Sequence, residues 1–351
     1  MKWENNVRKV VPYVPGEQPQ NKKVIKLNTN ENPYPPSPLV KEALEHISYE
    51  TLRRYPDTKS TELVDELAQV YQVDKENIFV GIGSDDVLAL CFLTFFNSGK
   101  PVIFPDITYS FYDVWADLYR IPYECKPLDD RLQIKMSDYL CENGGIILPN
   151  PNAPTGAEEN VNDLEEIIKK NSDVVVIIDE AYVDFGAKSV LPLIDKYDNL
   201  MVIQTFSKSR SLAGIRIGYA IGNKKLIQYL NDVKFSFNSY TMNPVTIAVG
   251  AASLRDSDYF KYTSQKVIKT RERVKKELSL LGFSFPDSKT NFIFATHDTV
   301  PAKEIFNAAK EEGIFVRYFN KPRIDNYLRI SIGTDEEMDT LISFLRRFVK
   351  R

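Results

Sequence analysis

Between residues 77 and 222, short apolar runs alternate with longer stretches in which apolar and polar positions follow a helical period. Runs that are apolar on both faces and separated by helices are typical of a mostly parallel sheet with helical crossovers. We therefore predict an α/β domain built on such a sheet. The predicted strands are residues 78–82, 101–105, 145–148, 174–178, 200–204 and 215–221, and the helices between them include residues 85–96, 109–119 and 161–170.

After residue 223 the pattern predicts more helices and then a smaller α+β unit. The predicted helices are residues 224–234, 244–254, 256–281, 301–312 and 335–350, and the predicted strands are residues 291–295, 314–318 and 327–332. The first 40 residues are rich in proline and asparagine, which disfavour regular elements. The predicted division is an N-terminal arm (1–40), a large domain (41–255) and a small C-terminal domain (256–351).

Composition narrows the class of protein. The net charge of the 351 residues is −3, so we expect no nucleic-acid partner. No apolar run is long enough for a membrane span, and the N-terminus lacks the apolar segment of a secretion signal, so we expect a cytoplasmic protein without a membrane partner. Three scattered cysteines (Cys91, Cys125 and Cys141) and two histidines (His46 and His297) argue against a disulfide framework, a metal site and histidine triads.

A glycine-rich turn, Gly-Ile-Gly-Ser-Asp-Asp at residues 81–86, follows a predicted strand and begins a predicted helix. Ser84 is a good N-cap residue, and the free N–H groups of a helix start can hold phosphate if the neighbouring carboxylates turn away. The dinucleotide fingerprint does not fit, because Asp86 occupies its third glycine position. A capped helix with acidic residues near its N-terminus is the alternative interpretation.

Two acids, Asp179 and Glu180, follow the strand predicted at residues 174–178. Open α/β sheets place ligands at such strand ends, and a carboxylate buried there needs a partner. The alternative is an acid that caps a helix or faces solvent.

A lysine, Lys208, follows the strand predicted at residues 200–204 and lies among small residues that would let a bulky group approach its amine. Neighbouring cations such as Arg210 and Arg216 favour imine chemistry by lowering the pKa of an amine, and Ser207 and Arg216 could hold a phosphate. A basic surface loop is the alternative. Taken together, an amine, a strand-end acid and a phosphate-binding turn suit pyridoxal 5'-phosphate.

At these residues the chain resembles the fold-type I pyridoxal-phosphate aminotransferases, from about Leu27 to its end. Residues 205–214 resemble the lysine-site pattern of the family, residues 150–156 its Asn-Pro-rich turn, and residues 179–182 its aspartate motif. Residues 27–33 and 54–56 resemble signatures of the histidinol-phosphate branch. The resemblance implies a large domain with a mostly parallel sheet flanked by helices, and a smaller α+β C-terminal domain.

The resemblance also implies roles for single residues. Lys208 matches the Schiff-base lysine, which later moves a proton on the substrate, and Asp179 matches the partner of the pyridinium nitrogen. Asn152 and Tyr182 match residues that bond the ring oxygen O3', and Tyr109 matches the aromatic residue that stacks on the ring.

Further matches concern the cofactor phosphate and the subunit interface. Ser84 and Asp85 match the backbone phosphate cup, which Ser207 and Arg216 complete. Tyr55 matches a residue that reaches the cofactor phosphate of the neighbouring subunit, so the resemblance implies a homodimer with shared active sites.

Substrate contacts are implied at three positions. Arg317 and Arg329 match arginines that hold the substrate phosphate in the histidinol-phosphate branch, although relatives use the second for an α-carboxylate. Tyr13 matches a substrate-contacting tyrosine. The alternatives are a surface charge for Arg317 and an aromatic anchor of the arm for Tyr13. Arg210 departs from the pattern and is expected to add a cation near the cofactor.

The expected activity is amino transfer from glutamate to imidazole-acetol phosphate, which gives L-histidinol phosphate and 2-oxoglutarate. Rivals on the same scaffold are a threonine-phosphate decarboxylase and an aromatic aminotransferase. A regulator that binds the cofactor without catalysis is a remote alternative, because such regulators carry an added DNA-binding domain, whereas here the predicted enzyme core begins within the first 30 residues.

Overall fold

A computed structural model of the chain describes residues 2–19 and 24–349. Within them, seven strands form the larger sheet in the order β2-β8-β7-β6-β5-β3-β4. The strands are β2 (Ile78–Gly81), β3 (Val102–Pro105), β4 (Tyr123–Lys126), β5 (Gly145–Pro149), β6 (Val176–Asp179), β7 (Leu200–Thr205) and β8 (Gly218–Gly222). Strand β8 runs antiparallel to both its neighbours, while the pairs from β7 to β4 are parallel. The predicted mostly parallel sheet is confirmed.

The central strands are apolar throughout because both faces of the sheet are covered. The helices of this unit are α1 (Pro38–His46), α2 (Thr61–Tyr71), α3 (Ser84–Phe95), α4 (Tyr112–Tyr119), α5 (Val161–Lys170), α6 (Lys224–Phe237) and α7 (Pro244–Arg255). Ile177 packs with residues of α3, α4 and α6 on one face, whereas its neighbours Val176 and Ile178 pack with α2, α5 and α7 on the other. Successive residues of a strand point to opposite faces, so a two-sided apolar run is required.

The C-terminal part is a smaller α+β unit. Its antiparallel sheet has the order β12-β13-β10-β9 and packs against three helices. The strands are β9 (Phe283–Ser284), β10 (Phe292–His297), β12 (Arg317–Tyr318) and β13 (Leu328–Ser331), and the helices are α8 (Ser257–Leu280), α9 (Ala302–Glu311) and α10 (Asp335–Phe348). The predicted α+β character is confirmed, although the last residue of the helix predicted at 335–350 lies outside the described residues.

One predicted strand, 314–318, is wrong as a single element. Its first half is β11 (Ile314–Phe315), which pairs in parallel with β1 (Ile25–Lys26) of the predicted arm, and its second half is β12. The arm therefore contributes a strand beside the C-terminal unit, and the domain boundaries of the sequence analysis stay a prediction. None of the helices in the described ranges is long and apolar enough to cross a membrane.

Candidate active site

A cavity lies where the carboxyl ends of the parallel strands meet, the edge at which open α/β sheets place ligands. Loops after β2, β3, β5, β6 and β7 line it, together with the segment that follows β1. Predicted site residues in its wall are Ser84, Asp85, Tyr109, Asp179, Tyr182, Ser207, Lys208 and Arg216. The other lining residues are Thr29, Glu31, Pro149, Pro151, Ala153, Ala181, Thr205 and Ala213.

The backbone around Lys208 is held, while its amine is left available. The Asn32 side-chain Nδ2 donates to the carbonyl oxygens of Lys208 and Ser209, at 3.2 and 3.1 Å. The Ser209 hydroxyl donates to Asp184 at 2.5 Å. Within the described residues, Nζ makes no hydrogen bond or ion pair, and it lies 5.5 Å from the centre of the Tyr182 ring. The amine can therefore react without first breaking a strong contact.

Asp179 is the last residue of β6 and is 5% exposed. Its Oδ2 accepts from the Tyr112 hydroxyl at 2.8 Å, and its Oδ1 accepts from the Ala181 N–H at 3.1 Å. Burial raises the pKa of Asp179 to about 6, against the opposing effect of these hydrogen bonds and of the Lys208 charge. Because burial disfavours the ionised form of Asp179, a cationic group bound beside it in the cavity would be stabilised by the carboxylate and would stabilise it in return.

Tyr112 was not singled out from the sequence. It is fully buried at the start of α4, and a buried phenol needs a hydrogen-bond partner. The sequence signal was a hydroxyl on the apolar face of that helix. The helix begins at Tyr112, not at residue 109 as predicted, so Tyr109 lies in the preceding turn, from which its ring reaches the cavity wall.

The start of α3 is shaped by close backbone contacts. Gly83 is the N-cap residue with a φ of 94°, so the prediction that Ser84 caps this helix is wrong. A Cβ at Gly83 would lie 2.5 Å from Nη2 of Arg216, and a Cβ at Gly218 would lie 2.2 Å from the Ser84 nitrogen. Within the described part of the chain the N–H groups of Ser84 and Asp85 have no hydrogen-bond acceptor, as the start of a helix leaves them. Together they offer N–H donors and a guanidinium to an anion.

The carboxylates of this turn are engaged by neighbouring groups. Asp85 accepts from the Tyr109 hydroxyl at 2.7 Å and pairs with Arg216 at 3.2 Å. Asp86 accepts from the Ile82 N–H at 3.0 Å. Their negative charge is thus bound locally, as the sequence analysis required for phosphate binding there.

Asn152 ties two loops together but is not itself among the residues that line the cavity. Its Nδ2 donates to the Ile107 carbonyl and to the Thr155 hydroxyl, at 2.9 and 3.1 Å, and its Oδ1 accepts from Thr108 at 3.2 Å. These bonds join the turn after β5 to the loop that carries Tyr109.

Tyr182 is oriented from the segment that follows β1. The Asn30 side chain donates to the Tyr182 hydroxyl at 2.9 Å, and the Asn30 N–H donates to the Ser331 hydroxyl at 2.9 Å. Asn30 and Asn32 therefore link the lysine loop, the aspartate motif and the C-terminal unit. The sequence analysis had used both only as parts of a signature.

Arg317 and Arg329 lie directly opposite each other on strands β12 and β13. Nη2 of Arg329 donates to the Asn28 carbonyl at 3.0 Å, while its Nε is buried and has no partner among the described residues. Burial lowers the pKa of Arg329, and the nearby positive charge of Arg317 acts in the same direction. Two neighbouring guanidinium groups, one of which has an unused N–H donor, favour the binding of an anionic ligand between them.

Three other residues lie away from the cavity wall. The Tyr13 ring stacks on Phe111 with 4.1 Å between ring centres. Tyr55 is 81% exposed and stacks on Tyr240. Arg210 donates to the Ser253 carbonyl at 2.9 Å and packs on the Phe260 ring, so it is not the cation beside the cofactor that the sequence analysis expected. Like Asn152, Arg317 and Arg329, these three residues are not among those that line the cavity.

Comparisons with known proteins agree with this geometry. The profile of the family "Aminotransferase class I and II" matches residues 22–345. A histidinol-phosphate aminotransferase of Lactococcus lactis is 51% identical over 351 residues, covering 100% of this chain and 98% of the relative. One of Clostridium beijerinckii is 52% identical over 344 residues, covering 98% and 96%.

Among solved structures, the histidinol-phosphate aminotransferase of Sinorhizobium meliloti in complex with pyridoxal 5'-phosphate has the same fold. Its TM-score is 0.88 at 24% identity, and the alignment covers 97% of this chain and 95% of that chain.

Proposed function

The chain belongs to the class I and II aminotransferases, and from that premise we propose that it transfers the amino group of glutamate to imidazole-acetol phosphate with pyridoxal 5'-phosphate as cofactor. The products are L-histidinol phosphate and 2-oxoglutarate. Family membership confirms the predicted enzyme class. Support for the substrate comes from the relatives that share about half of their residues with this chain along nearly its whole length.

The residues present fit the cofactor. Ser84, Asp85 and Arg216 form a cradle in the cavity wall. Glycine at positions 83 and 218 allows this close packing, because a Cβ would meet the Arg216 guanidinium at the first position and the Ser84 nitrogen at the second. This cradle would hold the phosphate, with the Ser207 hydroxyl beside it. When bound, pyridoxal phosphate supplies an electron sink that stabilises negative charge on the Cα atom of the substrate.

The ring contacts follow from the same walls. Asp179 would face the ring nitrogen and hold a proton there, because a cation beside this buried carboxylate favours its ionised form. The Tyr109 ring would stack on the cofactor ring. Tyr182 and Asn152 would bond the ring hydroxyl, and Asn152 would have to exchange one of its present contacts to do so.

Lys208 carries the proton transfer in this proposal. Lys208 would hold the cofactor by condensation of its amine with the aldehyde group, which releases water. When the substrate amine replaces it there, the freed Lys208 amine would take the proton from the substrate Cα. The unengaged Nζ is consistent with both tasks, since a base must be free to move between two positions. The same amine serves both half-reactions, which agrees with the small number of histidines.

The observation that carries the substrate assignment is the arginine pair. Arg317 and Arg329 face each other across two strands, and a dianionic phosphate would satisfy both guanidinium groups, including the unpartnered Nε of Arg329. An α-carboxylate, with one charge, would satisfy Arg329 alone. The pair therefore favours a phosphate ester over an ordinary amino acid.

The test compares substrates on the purified holoenzyme. We expect L-histidinol phosphate with 2-oxoglutarate to give glutamate with a kcat/KM at least about tenfold above that of phenylalanine. Arg329→Ala should raise KM for histidinol phosphate by about tenfold or more and have a smaller effect on unphosphorylated histidinol, while Arg346→Ala, an exposed arginine in α10, should change neither. Release of carbon dioxide from threonine phosphate without consumption of a keto acid would favour the decarboxylase instead.

We also propose a homodimer with shared active sites. Several large apolar side chains are exposed in two stretches, residues 49–55 and 237–240, which meet where Tyr55 stacks on Tyr240. Such exposed side chains are typical of an interaction surface. They are Tyr49, Leu52, Tyr55, Phe237 and Tyr240. In this proposal Tyr55 reaches the cofactor phosphate of the partner. Light scattering after gel filtration should give twice the 40.3 kDa mass of the chain, and a monomer with full activity would contradict the proposal.

A further inference from the structure

Glu31 is the acidic residue in the cavity wall that the proposed cofactor contacts leave unassigned. Asp179 is held by Tyr112 and Ala181, and Asp85 by Tyr109. The Glu31 carboxylate accepts from Nζ of Lys26 at 2.7 and 2.6 Å and from the Thr29 hydroxyl at 2.8 Å. An ionised carboxylate can accept about four hydrogen bonds, so it has room for a ligand donor.

The position of Glu31 is fixed by the residues on either side. Asn30 is buried, adopts a φ of 57°, and is bonded to Ser331 and Tyr182. Asn32 donates to the Lys208 and Ser209 carbonyls. Anchors at both neighbours hold the intervening backbone against the lysine loop, so the carboxylate is preorganised for recognition.

The charge of Glu31 is maintained at the site. Burial raises its pKa, but the hydrogen bonds from Lys26 and Thr29 and the positive charges of Lys26 and Lys208 outweigh this effect, so the pKa lies below its usual value. The carboxylate thus remains an acceptor at neutral pH. The influence of Lys208 also indicates that Glu31 lies near the proposed reactive amine.

An aminotransferase with these substrates must bind two different side chains in one cavity. In the proposed function, the phosphate of one substrate would bind Arg317 and Arg329, and the α-carboxylate of glutamate would bind Arg329. The remaining groups of the two substrates differ, because an imidazole ring offers an N–H donor whereas glutamate offers a second carboxylate. A single acceptor would repel the glutamate side chain, whereas an ion pair contains one group suited to each.

We propose that Glu31 accepts the ring N–H of the imidazole substrate and that Lys26, which shares this carboxylate, pairs with the side-chain carboxylate of glutamate in the other half-reaction. Glu31 and Lys26 are then specificity-determining residues. Lys26 is suited to the exchange, because its amine has Glu31 as its ion-pair partner and its side chain is 24% exposed. This inference rests on the proposed function and specifies how its two substrates are told apart.

The test uses the pyridoxal-phosphate-loaded enzyme and measures each half-reaction by the change in cofactor absorbance. Glu31→Gln should lower the ratio of kcat/KM for histidinol phosphate to that for phenylalaninol phosphate, which lacks the ring N–H, by about tenfold. Lys26→Met should raise KM for glutamate by about tenfold, and by a larger factor than it raises KM for histidinol phosphate, which depends on Lys26 only through the position and charge of Glu31. Glu45→Gln, from the exposed Lys41–Glu45 pair, is the matched control and should leave all three substrates unchanged.

The proposal would be overturned if Glu31→Gln kept the wild-type ratio of kcat/KM for histidinol phosphate to that for phenylalaninol phosphate, including the case in which both values fall equally. If a variant fails to fold, wild-type enzyme provides the second measurement. Methylation of one ring nitrogen of histidinol phosphate should reduce kcat/KM by about tenfold, and full activity with both methyl isomers would also overturn it. Failure of the proposed function has a separate signature, because the wild-type enzyme would then not convert histidinol phosphate at all.

Discussion

In the cofactor-free protein, the unfolding free energy of Asp179→Asn should rise relative to that of wild type as the pH increases from acidic to neutral. The substitution nevertheless removes a group that the proposed reaction needs. The reason for the rise is the burial of Asp179 at the end of β6, which makes its ionised form unfavourable in the folded chain. In the unfolded chain the same carboxyl group is solvated. The substitution keeps the size of the side chain and removes its titration.

The magnitude follows from the difference between the two states. The pKa rises from an ordinary 3.8 to about 6 on folding. At 1.36 kcal/mol for each pKa unit, this corresponds to about 3 kcal/mol of lost folding free energy once the carboxyl is ionised in both states. Below about pH 3 both states hold the proton and the loss is absent. The loss develops as the pH rises and is complete above about pH 6 to 7.

The assay is urea unfolding of cofactor-free wild type and Asp179→Asn at several pH values. The variant loses one acceptor for Tyr112 or Ala181, which shifts its stability by a similar amount at every pH. The difference between the two proteins should therefore change in favour of the variant by about 2 to 3 kcal/mol from about pH 4 to pH 7. Glu180 also titrates with a raised pKa, of about 7, but it is present in both proteins and cancels.

Two results would refute this reasoning. A difference in unfolding free energy that stays constant with pH would mean that Asp179 has the same pKa in both states. A change of opposite sign would mean that the folded protein stabilises the ionised carboxylate even without a cofactor. The exposed residue Asp195 supplies the control, because Asp195→Asn should leave the pH dependence of wild type unaltered.

Two further substitutions test the cofactor site. Gly218→Ala should lower the affinity for pyridoxal phosphate by about tenfold or more, because its Cβ would displace the Ser84 nitrogen, whereas Gly214→Ala meets nothing within 4 Å and should not; equal affinities in a cofactor titration would contradict the cradle. Tyr112→Phe should raise the pKa of Asp179 further and weaken cofactor binding by about tenfold near pH 6 to 7, with recovery at higher pH, and a pH-independent loss would argue against this coupling.

The sequence was sufficient for the central sheet because its strands are buried on both faces. The apolar runs of β5, β6 and β7 strongly favour strands. The candidate catalytic residues lie at the ends of two of them: Asp179 is the last residue of β6, and Lys208 follows shortly after β7. Strand β4 was missed for the opposite reason. It lies at the edge of the sheet, its first three residues are exposed, and its polar residues give no apolar run.

Contacts between distant parts of the chain were not predictable from local pattern. The Tyr112 bond to Asp179 spans 67 residues, and the Asn30 bond to Tyr182 spans 152. The splitting of predicted strand 314–318 likewise depends on β1, almost 300 residues away. Such pairings depend on how elements pack together, whereas periodicity reports only the preference of each element by itself.

The central claim is that the amine of Lys208 holds the cofactor. Borohydride reduction of the enzyme loaded with pyridoxal phosphate, followed by proteolysis and mass spectrometry, tests it most directly. The account predicts a single pyridoxyl adduct on the peptide that contains Lys208, and no adduct in Lys208→Ala. A wild-type adduct on another lysine, or unchanged trapping in the variant, would contradict it.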